Sequence, residues 1–243
     1  MDVTERKALL KSLEGLRTTD ISDGLDGIGL LSVCLVDQKV RPLWKDIQNF
    51  KHRIYGFAYT VRFLPTQEVL HASSTEEFLK IEAEFKRKYI WSSGWAKNFK
   101  EDDILCMEVP EGCQGSPAGS ENFMRWVNDG LRGLVTNYAG IRDTDEVIKQ
   151  ELPVYCAYSS RAMTQGRMQY DAHEVPINIG GVLVKPGDLI VADNDGVVVV
   201  PIAHAKEVIE VARRINVDDR VKRSGHYAKA GMAEDFTTRP INL

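Results

Sequence analysis

The sequence predicts an α/β fold with a mixed sheet, and three observations carry that prediction. Strand-length runs rich in aromatic and β-branched residues, such as 56–63 and 103–109, alternate with segments whose apolar residues recur at helical spacing, such as 4–16 and 75–91. The stretch 180–201 is valine-rich and is punctuated by two turn sequences, Pro186-Gly187-Asp188 and Asn194-Asp195-Gly196. Strands and helices come in mixed order, with no internal repeat or linker, which points to one domain over residues 1–243.

Each element has a local reason. Leu9, Leu10, Leu13 and Leu16 lie on one face of the first helix. Thr18-Thr19-Asp20-Ile21-Ser22-Asp23 offers N-caps for a second, through Leu25, that Gly27 and Gly29 stop. After Pro42 the run 56–63 is a strand. Residues 75–91 form a helix with Phe78, Ile81 and Phe85 on one side and a solvated charged face. Residues 103–109 read as a buried strand. A loop containing Pro110, Gly112, Gly115, Pro117 and Gly119 follows, and Ser120 is positioned to cap a helix bearing Phe123, Val127 and Leu131.

The apolar run beginning at Gly133-Leu134-Val135 leads into a helix through Lys149 that ends before Pro153, and 154–158 is a short strand. Asp193-Asn194-Asp195-Gly196 lacks the alternating acidic ligands and terminal glutamate of a calcium loop and reads as a hairpin turn. A last amphipathic helix over 204–215 carries Val208, Ala212 and Ile215, and 224–243 reads as a polar C-terminal tail.

Composition narrows the function classes. A net charge of −4 and a pI near 5.8 give no general attraction to nucleic acid or anionic membrane. The four cysteines are scattered, the first residues lack an apolar signal core, and no apolar segment approaches the ~18 residues of a membrane span. A cytoplasmic protein with reduced thiols is expected. The five histidines stand too far apart for a local zinc motif.

The most informative segment is Ile141-Arg142-Asp143-Thr144-Asp145-Glu146, at the predicted junction of strand and helix. Asp143 with Glu146 three residues on is a helix-start pattern, an N-cap carboxylate with a residue reaching back. A cation beside two carboxylates at such a junction also suits a metal with an anionic substrate. The Gly-rich loop before Ser120 is a second candidate anion site, or a plain connection.

Several motifs together resemble the RraA-like family, which includes divalent-metal-dependent 4-hydroxy-4-methyl-2-oxoglutarate aldolases and a ribonuclease E regulator. They are residues 19–26 (Thr-Asp-Ile-Ser-Asp-Gly-Leu-Asp), 56–62, Gly140-Ile141-Arg142-Asp143, Leu152-Pro153-Val154-Tyr155 and the run 180–201. They span most of residues 15–220. In the aldolase pattern twenty residues separate an acidic residue from Arg-Asp, and two more separate that pair from a further Glu or Asp. Glu121, Arg142-Asp143 and Glu146 match it. Tyr138-Ala139 stands where the family has Asp-Gly, and 67–100 reads as a charged helical insert.

The resemblance implies a single-domain α/β/α sandwich, similar to the phosphohistidine swivelling-domain-like fold. It implies a Mg²⁺- or Mn²⁺-dependent lyase that cleaves a carbon–carbon bond of a small 2-oxo acid and releases pyruvate, with oxaloacetate decarboxylation through the same enolate. Asp143 would be the direct metal ligand, with Glu121 and Glu146 holding metal-shell waters and Arg142 facing the substrate carboxylate or keto oxygen. Backbone N–H groups of Glu121, Asn122 and Phe123 would receive that carboxylate. A homotrimer or homohexamer is implied, with an acid from a neighbouring subunit, for which Asp218 and Asp219 are the candidates. His173 is more simply a surface or hydrogen-bonded histidine than a catalytic acid. The alternative is a non-catalytic regulator that binds a ribonuclease or helicase.

Overall fold

The computed structural model describes residues 1–239. Its helices are α1 (Val3–Lys11), α2 (Thr18–Gly27), α3 (Thr75–Phe85), α4 (Ser120–Asn128), α5 (Thr144–Lys149) and α6 (Ala205–Ala230). Its strands are β1 (Arg41–Pro42), β2 (Ile54–Pro65), β3 (Asp103–Glu108), β4 (Gly115–Ser116), β5 (Gly133–Thr136), β6 (Val154–Cys156), β7 (Ala162–Met163), β8 (Met168–His173), β9 (Ile177–Ile179), β10 (Val182–Val184), β11 (Leu189–Asp193) and β12 (Gly196–Val200).

The main sheet is mixed and runs β1-β6-β5-β3-β2-β11-β12, with β8 added along the far half of β2. β2, β3, β5 and β6 are mutually parallel, with the segment containing α3 crossing between β2 and β3, α4 between β3 and β5, and α5 between β5 and β6, whereas the β11–β12 hairpin is antiparallel. The sheet curls until its ends nearly meet, where the Arg41 guanidinium donates to the Asp195 carbonyl at 2.6 Å.

Period-2 alternation sorts the core. On β2, Ile54 and Ala58 face inward with Ile104, Cys106, Val135, Ile190 and Val199, and the β9–β10 hairpin packs against this inner cluster. Tyr59, Val61 and Phe63 face outward, toward α4, α5 and the segment after α3. Phe57, Leu189, Val191, Val198 and Val200 meet a second helical layer, formed by α1, α2 and α6. The fold is therefore α/β with helices on two sides of a nearly closed mixed sheet. Burial pushes the Cys106 thiol far above its ordinary range and the Cys156 thiol up to about 12.

Four boundaries differ from the sequence expectation. Gly119 is the N-cap of α4, so Ser120 is already inside the helix. The segment 75–91 leaves α-helical geometry after Phe85 and continues as a π-helical turn, Lys86–Ile90. β8, which covers Tyr170 to His173, was not foreseen. The largest correction is α6, which runs fifteen residues past Ile215 and ends at a left-handed Gly231 cap. The polar tail thus begins after Ala230, and Asp218 and Asp219 lie within the helix. The remainder of the predicted tail, residues 240–243, lies outside the described residues.

Candidate active site at the strand-to-helix junctions

The parallel strands β3 and β5 end on the same side of the sheet, and the chain leaves them for α4 and α5. Their loops are tied together. The Asn137 side chain accepts from the Val109 N–H at 2.8 Å and donates to the Val109 carbonyl at 3.0 Å, mimicking a rung of the ladder. Ala118 and Ile141 form a parallel bridge, with the Arg142 N–H donating to the Ala118 carbonyl at 3.1 Å. The two-residue pairing of β4 with β7 extends this lattice, and the Thr164 hydroxyl donates to the Ser116 carbonyl at 2.8 Å. In open α/β sheets such carboxyl-end crevices are where ligands bind.

The lattice sets Arg142 and Asp143 against the start of α4. A Cβ on Gly119 would lie 2.5 Å from Asp143 Oδ2 and 3.4 Å from Arg142 Nε, so only glycine leaves the carboxylate its place. Asp143 adopts a left-handed backbone with φ of 59°, a region that Asp tolerates better than most residues. Although it stands at the N-cap of α5, its side chain makes no capping hydrogen bond. The helix-start reading of Asp143 and Glu146 therefore fails at the side chain. Arg142 Nε is 3.6 Å from Asp143 Oδ2, and both side chains are about one-third exposed.

Glu121 lies in the first turn of α4 and Glu146 in the first turn of α5, both exposed and without a hydrogen bond or ion pair among the described residues. Two helix N-termini, each carrying an acid in its first turn, thus start at this one junction. One expected donor is spent. The Phe123 N–H is bonded within the helix to the Gly119 carbonyl at 3.0 Å, and the Phe123 ring is fully buried. The amides of Glu121 and Asn122 have no intrahelical acceptor, as the position of the N-cap requires. The Asn122 side chain accepts from Arg125 and lines a different cavity, beside Trp91 and Lys97.

Arg142 also lines a cavity of about 720 Å³ that the sequence reading missed. Glu68, Leu70 and Phe78 form one wall, so the 67–100 segment borders this space, and Arg161 and Arg167 add two further guanidinium groups. Arg167 is partly engaged by the carbonyls of Met163 and Gln165, each at 3.2 Å. These residues flank β7, a two-residue strand with no periodicity to reveal it. Asp143, Glu121 and Glu146 are not in the cavity wall.

Asp218 and Asp219 sit on α6, in the other helical layer, where Asp219 pairs with Lys222 at 3.6 Å. Within one chain they belong to a different face from Asp143. His173 Nδ1 is hydrogen-bonded to the Tyr170 hydroxyl at 2.6 Å.

Among the described residues no three His, Cys, Asp or Glu side chains gather as a metal cage. A hard cation that keeps most of its waters needs only one carboxylate from the protein. Asp143 can be that carboxylate, because no backbone amide caps it and Gly119 leaves a cradle that a Cβ would fill.

The fold and junction thus define a mixed α/β protein with a cation-and-carboxylate site at the carboxyl ends of parallel strands. The family model RraA-like (Aldolase/RraA) matches residues 18–199, and the chain belongs to that family. A relative from Halalkalibacterium halodurans, which carries the provisional name 4-hydroxy-4-methyl-2-oxoglutarate aldolase, is 28% identical over 205 residues, 84% of this chain and 82% of its own length. Protein DlpA of Legionella pneumophila is 23% identical over 215 residues, and the match covers 88% of this chain but only 31% of DlpA. Among solved structures, Streptomyces coelicolor RraAS2 aligns with a TM-score of 0.71 at 22% identity, covering 89% of this chain and 96% of that one. RraAS2 is described as an unusual member of the RNase ES inhibitor RraA protein family, so likeness of fold spans differently named functions. Among the described residues no helix is long and apolar enough to cross a membrane.

Proposed function

We propose that this protein is a divalent-metal-dependent lyase that cleaves the carbon–carbon bond of a small 4-hydroxy-2-oxo acid, of the 4-hydroxy-4-methyl-2-oxoglutarate type, and releases pyruvate. The observation that carries the reading is the uncapped Asp143 carboxylate, seated against Gly119 with Arg142 beside it. Bound at Asp143, Mg²⁺ or Mn²⁺ would supply Lewis-acid polarisation of the keto oxygen.

The chain's own residues do the rest. Arg142 offers a planar, permanently charged donor to the substrate carboxylate or to the enolate oxygen that develops as the bond breaks. The Glu121 and Asn122 amides, at the positive end of α4, receive the substrate carboxylate. Glu121 and Glu146 order water around the site by accepting hydrogen bonds, and Glu121 relays the proton from the substrate hydroxyl. Oxaloacetate decarboxylation passes through the same enolate and belongs to the same reading. We further read 1–243 as one RraA-like domain with 67–100 as an insert, assembled as a homotrimer or homohexamer.

The test is pyruvate release from 4-hydroxy-4-methyl-2-oxoglutarate and from oxaloacetate, with Mg²⁺ or Mn²⁺ and after chelation. Turnover that disappears on chelation and in Asp143→Ala is expected. No turnover with any divalent metal, together with recovery of a ribonuclease or helicase from lysate, would instead favour the regulator.

A further inference from the structure

A cavity in the other helical layer gathers five guanidinium groups, four of them without a bonded carboxylate among the described residues. It has a volume of about 320 Å³, lies between the start of α2, the second half of α6 and the returning segment 231–239, and is lined by Arg17, Arg53, Arg220, Arg223, Arg239 and Phe236, among others. Of the five arginines, only Arg17 has a bonded carboxylate among the described residues. Its Nη2 and Nε donate to the two oxygens of Asp20 at 2.7 and 3.1 Å. Asp193 and Asp219 also act on Arg17 at longer range, but Asp193 is committed to the Thr18 amide and hydroxyl.

The other four have no carboxylate in hydrogen-bond contact among the described residues, although Asp20 acts on Arg220 and Asp235 on Arg239 at longer range. Arg220 is buried and, among the described residues, donates to uncharged acceptors: Asn216 Oδ1 at 2.6 Å and the carbonyls of Gly15, Phe236 and Arg239 at 2.5–3.1 Å. Arg223 donates to the Thr237 carbonyl at 2.7 Å. The Arg53 guanidinium lies 4.8 Å above the Phe50 ring, and its buried Nε has no hydrogen-bond partner among the described residues. The Arg239 side chain makes no hydrogen bond among the described residues. Its acidic neighbour Asp235 accepts instead from the amide and hydroxyl of Thr237.

Like charges held this close repel one another, and a buried Nε without an acceptor adds to the cost, so the arrangement is compensated best by an anion in the cavity. Several forked donors around one small space match the oxygens of a phosphoryl group better than a single carboxylate. We propose that this cavity is a binding site for a small molecule bearing one or more phosphoryl groups, separate from the Asp143 junction. Its volume is at the lower end for ligand pockets, which suits a compact phosphorylated metabolite rather than a dinucleotide. Because Arg220 and Arg223 also hold the carbonyls of the returning segment, an occupant would fasten that segment to α6.

The experiment is calorimetric titration and thermal melting of the full chain with inorganic pyrophosphate, inorganic phosphate and, as a carboxylate of comparable charge, citrate. Pyrophosphate is expected to bind with a Kd below about 1 mM at low ionic strength, to raise the Tm, and to weaken with added salt. The double variant R53Q/R239Q is expected to melt like the unliganded parent and to bind pyrophosphate at least about tenfold more weakly. If it melts lower, R53K/R239K carries the same test, since it retains charge and loses the fork, and severalfold weaker binding is expected. No binding at about 10 mM pyrophosphate, or affinity unchanged in these variants, would overturn the site. Citrate binding as tightly as pyrophosphate would overturn the phosphoryl assignment. Neither Arg53 nor Arg239 touches the Asp143 junction, so pyruvate release without pyrophosphate should be unaffected.

Discussion

Gly119 and Asp143 are a pair in which the missing side chain of one makes room for the carboxylate of the other. Gly119 has an extended φ of −125°, so alanine suits its backbone, and the only close obstruction is the mobile end of Asp143. Gly119→Ala should therefore leave stability within about 1 kcal/mol, read by urea unfolding, yet displace Asp143 and lower metal-dependent pyruvate release roughly 10–100-fold. Full activity in this variant would remove Asp143 from the metal. Asp20 makes a separate prediction, on pH. Burial alone would lift its carboxyl, but hydrogen bonds from Arg17 and Asn216 outweigh that and hold it below the ordinary range. A depressed carboxylate contributes stability above its unfolded pKa of about 3.9 and loses it as pH falls through the folded value. Asp20→Asn should cost roughly 2–3 kcal/mol at pH 7, less than a fully buried pair because Arg17 is 35% exposed, and should flatten the acid limb below about pH 4. Asp103 and Asp188, which burial raises, contribute with the opposite sign, so the comparison must be variant against parent. Arg142, Asp143 and Glu146 were visible in the sequence because they are neighbours in it. Gly119, Arg161 and Arg167 were not, because their roles depend on a single bridge and a two-residue strand pair that leave no pattern.

At the scale of elements, apolar periodicity located β2, β3, β5 and the β11–β12 hairpin closely, since each buries nearly every residue against a named cluster. It stopped short on α6 for a physical reason. Beyond Ile215 the helix is held by polar bonding at Asn216 and Arg220, and Val221 there is 70% exposed. The solvated charged face read for 75–91 holds for α3, whereas the residues after it, 86–99, cover the sheet with a packed aromatic cluster. Trp95 is fully buried, stacks on Trp91 at 5.4 Å, meets Trp126 at 5.5 Å, donates its indole N–H to the Ile90 carbonyl and accepts the Tyr59 hydroxyl on its own carbonyl. Trp95→Ala should cost about 3–5 kcal/mol, read by denaturant unfolding. Because Glu68, Leu70 and Phe78 wall the cavity that holds Arg142, partial unfolding of this segment should also raise the KM for the 2-oxo acid before it lowers kcat.

For the whole molecule, the surface between α2 and β1 argues for assembly. Leu31 and Val33 are 61% and 64% exposed, and Leu35 is 41% exposed, three apolar side chains at alternating positions on one short segment. Scattered exposed apolar residues are ordinary, but a contiguous row marks a contact surface. The proposed trimer or hexamer would cover such a row, and each interface would repeat the same residues by symmetry. Light scattering of the parent should give a mass three or six times the 27.3 kDa of one chain. Leu31→Asp with Val33→Asp should shift that mass toward one chain while far-ultraviolet circular dichroism is retained, because neither side chain belongs to a buried cluster. If an active site draws an acid from the adjoining subunit, dilution of this variant should abolish pyruvate release together with the assembly. A monomer that keeps full turnover would confine the chemistry to Arg142, Asp143 and the first turns of α4 and α5, and would remove Asp218 and Asp219 from it.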